Sequence, residues 1–177
     1  MRSVLLAALA ALVGVGPATA QGMVLWREAT AGMTVAEVRR VVPQARPSPV
    51  AGSNKDGWRD LLQARVREGS LDQNVVFQFK EDRLIGAVIT MGTAFGLTAI
   101  AADEATSVRR RLRDAYGRPL RSAFTDDDFR ACSWIKGATF VGYLERPPPT
   151  SGVMVFIHPE QAGDRELLKD LRPAPEC

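Results

Sequence analysis

The chain has 177 residues, and its 23 Lys and Arg against 20 Asp and Glu leave a formal net charge of only +3. A surplus that small among so many charges gives no support to a nucleic-acid partner. One histidine and two cysteines provide no spaced ligand set for a zinc site.

The N-terminus reads as an export signal. Arg2 precedes an apolar run from Val4 to Val15, Gly16-Pro17 breaks it, and small residues follow at Ala18-Thr19-Ala20. The run is 12 residues, short of the roughly 20 that a membrane span needs. Cleavage near Ala20 is therefore expected, with a periplasmic or secreted product and no stable membrane insertion. No cysteine follows the run to take a lipid.

From Gly32 the chain reads G-M-T-V-A-E-V-R-R-V-V-P. Thr34 and Glu37 form a capping box, Val35, Val38, Val41 and Val42 fall at helical spacing, and Pro43 ends the helix. The cap accounts for Glu37 without a catalytic role. A loop rich in Pro, Ser, Gly and Asn from Arg46 to Gly57 leads into a strand from Trp58 to Arg67. A turn at Glu68 to Gln73 then opens a hairpin over Asn74 to Met91. Val75, Phe77 and Phe79 share one side of its first strand, and Glu81-Asp82 forms the turn. A two-residue turn there sets Phe79 opposite Leu84 and Phe77 opposite Gly86, although the dipeptide lacks the glycine or asparagine that such turns favour.

After a break at Gly92 to Gly96, Thr98 can cap a second helix. Its apolar stripe is Ala101, Ala105, Val108, Leu112, Ala115 and Tyr116, and Gly117 and Pro119 stop it. Strands are expected over Phe129 to Lys136, Ala138 to Glu145 and Gly152 to His158, the last two separated by Pro147-Pro148-Pro149. Arg165 to Leu171 can add a helical turn or two. Helix, loop, tryptophan (Trp58, Trp134) and hairpin occur twice, a repeat of pattern more than of identity. The expected fold class is α+β: two related helix-then-three-strand units with antiparallel sheets and helices packed on one face. The divisions are a signal peptide at 1–20, units at 21–96 and 97–160, and a tail at 161–177.

The Gly32 to Pro43 segment followed by F-Q-F-K-E-D-R-L-I-G-A-V resembles the helix-then-sheet module of the BamE (SmpA/OmlA) outer-membrane assembly lipoproteins. The tandem arrangement is similar to that of the beta-lactamase inhibitor protein. The match covers Gly32 to Met91 directly and the second half by pattern. It implies a fold and a tendency toward protein binding, and it carries no functional residue over.

No catalytic, cofactor-binding or metal constellation is marked by spacing. Asp126, Asp127 and Asp128 lack the glycine and distal glutamate of a calcium loop and read as a solvated turn. Export would carry Cys132 and Cys177 into an oxidising compartment, where a bridge ties the tail to a strand; the alternative is one buried and one unpaired thiol. Arg109, Arg110, Arg111 and Arg113 fan around one side of the second helix. Trp58, Trp134, Arg109, Arg110 and Arg113 are the residues available for partner contacts, with core packing the competing role for both tryptophans. The reading is an exported, non-catalytic protein-binding module of the bacterial cell envelope, with an assembly or inhibitor-like role, whose partner is another envelope or secreted protein. The alternative is a small periplasmic thiol-dependent hydrolase using Cys132 and His158.

Overall fold

The central hairpin turns on two left-handed residues. Glu81 and Asp82 have φ of 50° and 58°, a geometry that suits the twist of the flanking strands even without glycine. Lys80 then faces Arg83 and Phe79 faces Leu84, as the two-residue turn requires. Beyond that the register departs from expectation. The ladder shifts between Gln78 and Phe79, which leaves Ile85 as an extra residue, so Phe77 lies opposite Ala87 and Gly86 opposite Gln78.

The computed structural model describes residues 23–49, 57–146, 151–174 and 177, so the expected signal peptide and the Pro147–Pro149 loop lie outside the described residues. A small hairpin, β1 (Val24–Trp26) and β2 (Ala29–Thr30), precedes α1 (Val35–Val41). Then come β3 (Arg46–Pro47), β4 (Arg59–Glu68), β5 (Leu71–Lys80) and β6 (Arg83–Gly92). A single 3-10 turn, Thr93–Phe95, leads to α2 (Ala102–Tyr116). The rest is β7 (Arg121–Phe124), β8 (Arg130–Lys136), β9 (Thr139–Arg146), β10 (Gly152–Pro159) and β11 (Arg172–Pro173).

Nine of these strands form one antiparallel sheet in the order β11-β7-β8-β9-β10-β6-β5-β4-β3. Two separate helix-then-three-strand units are therefore not what the chain makes, and the BamE-like and inhibitor-like tandem assignment falls with them. The cause is β10, which pairs with β6 from Gly152 opposite Gly92 to Ile157 opposite Ala87. The backbone ladder thus runs unbroken across the middle of the chain, and β3, β7 and β11 extend it at both ends. A capping box and a phenylalanine-rich hairpin are local devices. They recur in many folds and do not encode which strand edges join.

Opposed residues in a ladder point to the same side, so the register defines two faces. Ala64, Val75, Ile89, Val155, Tyr143, Cys132 and Ser122 form one row across the sheet. Leu62, Phe77, Ala87, Ile157, Val141 and Trp134 form the next. This face carries the main core, closed by Leu25, Val38 and Val42 from the N-terminal segment and Ala105 from α2. On the other face Phe156 lies directly opposite Gly142 and fills the space a side chain there would take.

The helix termini follow different rules. At α1 the capping box forms as read: Glu37 N–H donates to Thr34 Oγ1 at 3.3 Å and Thr34 N–H to Glu37 Oε2 at 2.8 Å. At α2 Thr98 is not the cap. Its hydroxyl donates to Asp72, and the helix starts three residues later, where Ala101 N–H donates to Glu104 at 2.9 Å. Ser70, in the β4–β5 turn, donates to the same Glu104 carboxylate and ties the start of α2 to the sheet.

Candidate functional site

The layer over the main face has a gap at its centre. The N-terminal segment seats on the hairpin end, where Gly32 N–H donates to Leu84 O at 2.8 Å and Trp26 meets Phe77 edge-on with centroids 5.9 Å apart. The C-terminal end of α2 is pinned over β8: Trp134 Nε1 donates to Gly117 O at 3.0 Å and Lys136 Nζ to Ala115 O at 2.6 Å. Between these two anchors lies a groove of about 190 Å³. Ile89, Met91, Val155 and Ile157 of the adjacent central strands β6 and β10 form its floor, and Trp26 with Leu71 and Val108 with Leu112 form its walls.

Strands in the middle of a sheet are normally its best covered. Here Ile89 and Ile157 keep 7% and 8% of their surface, whereas Val75 and Phe77 beside them keep none. The polar groups at the margin are Gln73 and Arg111. Arg111 is largely exposed and stands 3.5 Å from the Glu68 carboxylate, itself half-exposed. The Arg27 guanidinium lies 4.5 Å from the Trp26 ring centroid. The groove is thus an apolar trough with one cationic side chain, Arg111, at its margin and Arg27 against the wall residue Trp26, suited to an apolar group with negative charge beside it.

The residues singled out from the sequence divide. Trp134 is fully buried beneath α2. Arg109 is largely buried and ion-paired with Glu145, which also accepts the Tyr143 hydroxyl at 3.0 Å. Burial, with the Glu145 charge beside it, pushes the Tyr143 phenol well above its ordinary pKa. Arg110 and Arg113 are exposed on α2. Trp58 is half-buried and packs edge-on against His158 at 5.4 Å, on the opposite side of the sheet from the groove.

Cys132 is joined to Cys177 in a disulfide, with Cα atoms 6.4 Å apart. A thiol dyad is therefore not assembled. Cys132 shares a row with Tyr143 and Val155, whereas His158 stands opposite Phe140 on the other face. His158 stacks on Phe140 and donates from Nδ1 to Pro159 O at 2.8 Å. Asp128 closes the β7–β8 turn with φ of 57° and pairs with Arg172. Among the described residues no three His, Cys, Asp or Glu side chains converge as metal ligands, and no helix is long and apolar enough to cross a membrane.

Groove and sheet together define a helix-covered antiparallel sheet with an open apolar trough. Among solved structures the fold is similar to a DUF4309 family protein (YjgB) from Bacillus subtilis, with 14% sequence identity, a TM-score of 0.44, and coverage of 79% of this chain and 84% of that one. No family model matches the sequence, and no curated protein matches it.

Proposed function

We propose that the protein is an exported, non-catalytic binding module of the bacterial cell envelope, and that the groove beside α2 is its recognition surface. The observation that supports this reading is the incompletely sealed centre of the main face, where Ile89 and Ile157 line the groove and keep 7% and 8% of their surface while Val75 and Phe77 beside them keep none. The occupant is a segment of an envelope or secreted protein that inserts one bulky apolar side chain and places acidic residues against α2. Charge complementarity argues for it: Arg110, Arg111 and Arg113 are exposed along the helix that forms the wall. Insertion of an apolar side chain into such a trough is the usual way a small interface concentrates its binding energy.

Leu112→Asp tests the reading. The side chain stands in the groove wall and is only partly buried, so the fold tolerates the change better than a core substitution. Co-purification from envelope extract should recover a partner with the unaltered protein, lose it with Leu112→Asp, and weaken in high salt or with the double variant Arg110→Gln, Arg113→Gln. Equal recovery by the unaltered protein and a folded Leu112→Asp variant would overturn the assignment of the groove.

A further inference from the structure

A second site lies at the other end of the main face. One row of the sheet reads Glu145 on β9, Arg130 on β8, Phe124 on β7 and Arg172 on β11, each opposite the next. With Asp128 these residues line a cleft of about 330 Å³. The two guanidinium groups flank one ring, Arg172 at 4.8 Å and Arg130 at 5.9 Å from the Phe124 centroid. Arg172 has a counter-charge in Asp128 at 2.6 Å. Arg130 faces Glu145 across the ladder, yet that carboxylate is turned to Arg109 and holds the Tyr143 hydroxyl.

Three guanidinium groups (Arg109, Arg130, Arg172) therefore meet two carboxylates (Glu145, Asp128), and Arg130 is the half-buried cation left without an anionic partner among the described residues. A guanidinium presents a planar fork that matches an oxyanion, and the adjoining phenyl ring offers an apolar surface to the body that carries it.

We propose that this cleft binds a small organic carboxylate, its oxyanion on Arg130 and its apolar body against Phe124. The site is separate from the groove, so the two stand or fall independently.

Benzoate is the probe. Titration into the ¹⁵N-labelled protein, followed through the arginine Nε–H and backbone signals of β7 and β8, should give a saturable shift centred on Arg130. Arg130→Gln should weaken binding about tenfold or more, the loss expected for a charge-assisted pair. Asp128→Asn, which frees Arg172, should tighten binding, and Arg111→Gln should leave it unchanged. Inorganic phosphate and chloride are the comparison arms, and both should bind more weakly than benzoate. No saturable shift, a shift that survives in Arg130→Gln, or phosphate binding as tightly as benzoate would overturn the proposal.

Discussion

Reducing the disulfide should cost the protein a large part of its stability without unfolding it. Cys132 and Cys177 are separated by 45 positions. In the chain-entropy model a cross-link closing a loop of that length removes denatured-state freedom equivalent to about 4 kcal/mol. The native side changes little, because Cys132 is buried within the main core and Cys177 lies against it whether or not the sulfurs are joined. Among the described residues next to the bridge, β11 pairs with β7 at Arg172 and Pro173, Arg172 pairs with Asp128, and Ala174 N–H donates to Ser122 O. Urea denaturation of oxidised and reduced protein, monitored by tryptophan fluorescence, is the assay. With an m-value of about 2 kcal/mol/M, the midpoint should fall by about 2 M on reduction, and Cys177→Ala should behave as the reduced protein does. Midpoints within about 0.5 M of each other would refute the reasoning, since they would show that the bridge does not restrict the unfolded chain as its length implies.

A Cβ on Gly142 would sit inside the Phe156 ring, so Gly142→Ala should destabilise by about 1–3 kcal/mol, and most of that penalty should disappear in a Phe156→Leu background when the cycle is measured by denaturation. Thr34→Ala removes the α1 cap and should lower stability by about 1 kcal/mol in the same assay. Alkaline pH should destabilise the protein. Burial raises the folded-state pKa of both tyrosines, Tyr143 far more than Tyr116. Their contribution is therefore fully present below the unfolded value of about 10 and is lost as pH climbs above it toward the folded values. Tyr143→Phe should flatten that decline, and absorbance titration of the native protein should show both phenols ionising above the ordinary range.

The elements were far more legible than their assembly. The apolar runs place β6, β8, β9 and β10 within a residue of their bounds, because one side of each strand faces a core, whereas β5 starts three residues earlier than expected, at Leu71, inside the segment expected to be a turn. Thr34-x-x-Glu37 marked α1 because the capping box is made within four residues. What joins the elements leaves no local trace: β10, starting at Gly152, pairs with β6, which ends at Gly92, and edge pairing is decided by which rows of side chains are covered together. The two-residue strands β3 and β11 were invisible for a related reason, since each contains a proline and exists only through its neighbour's ladder.

The sites show the same division. Arg110 and Arg113 are exposed as their helical positions imply, while Arg109, one residue before, turns toward Glu145 on a strand that helical periodicity cannot see. Trp134 reads as core in preference to an anchor, and the contact that fixes its place, Gly117 O, lies 17 positions away at the end of α2, outside the reach of any strand pattern. Val108 and Leu112 belong to an ordinary apolar stripe. Only the gap between α2 and Trp26 makes them the wall of a groove, and that gap is a property of two elements packing side by side. Arg130 is similar: its charge stands out only once Glu145 has been claimed by Arg109.

The most direct measurement of the central claim is photo-crosslinking in the cell envelope from p-benzoylphenylalanine placed at Leu112, with Lys80 on the far face as the reference position. Adducts to a defined protein from position 112, absent from position 80 and lost when Arg110 and Arg113 are changed to glutamine, are the predicted result. A folded protein that gives no adduct at position 112, or the same adducts from both positions, would contradict the assignment of this groove as the recognition surface.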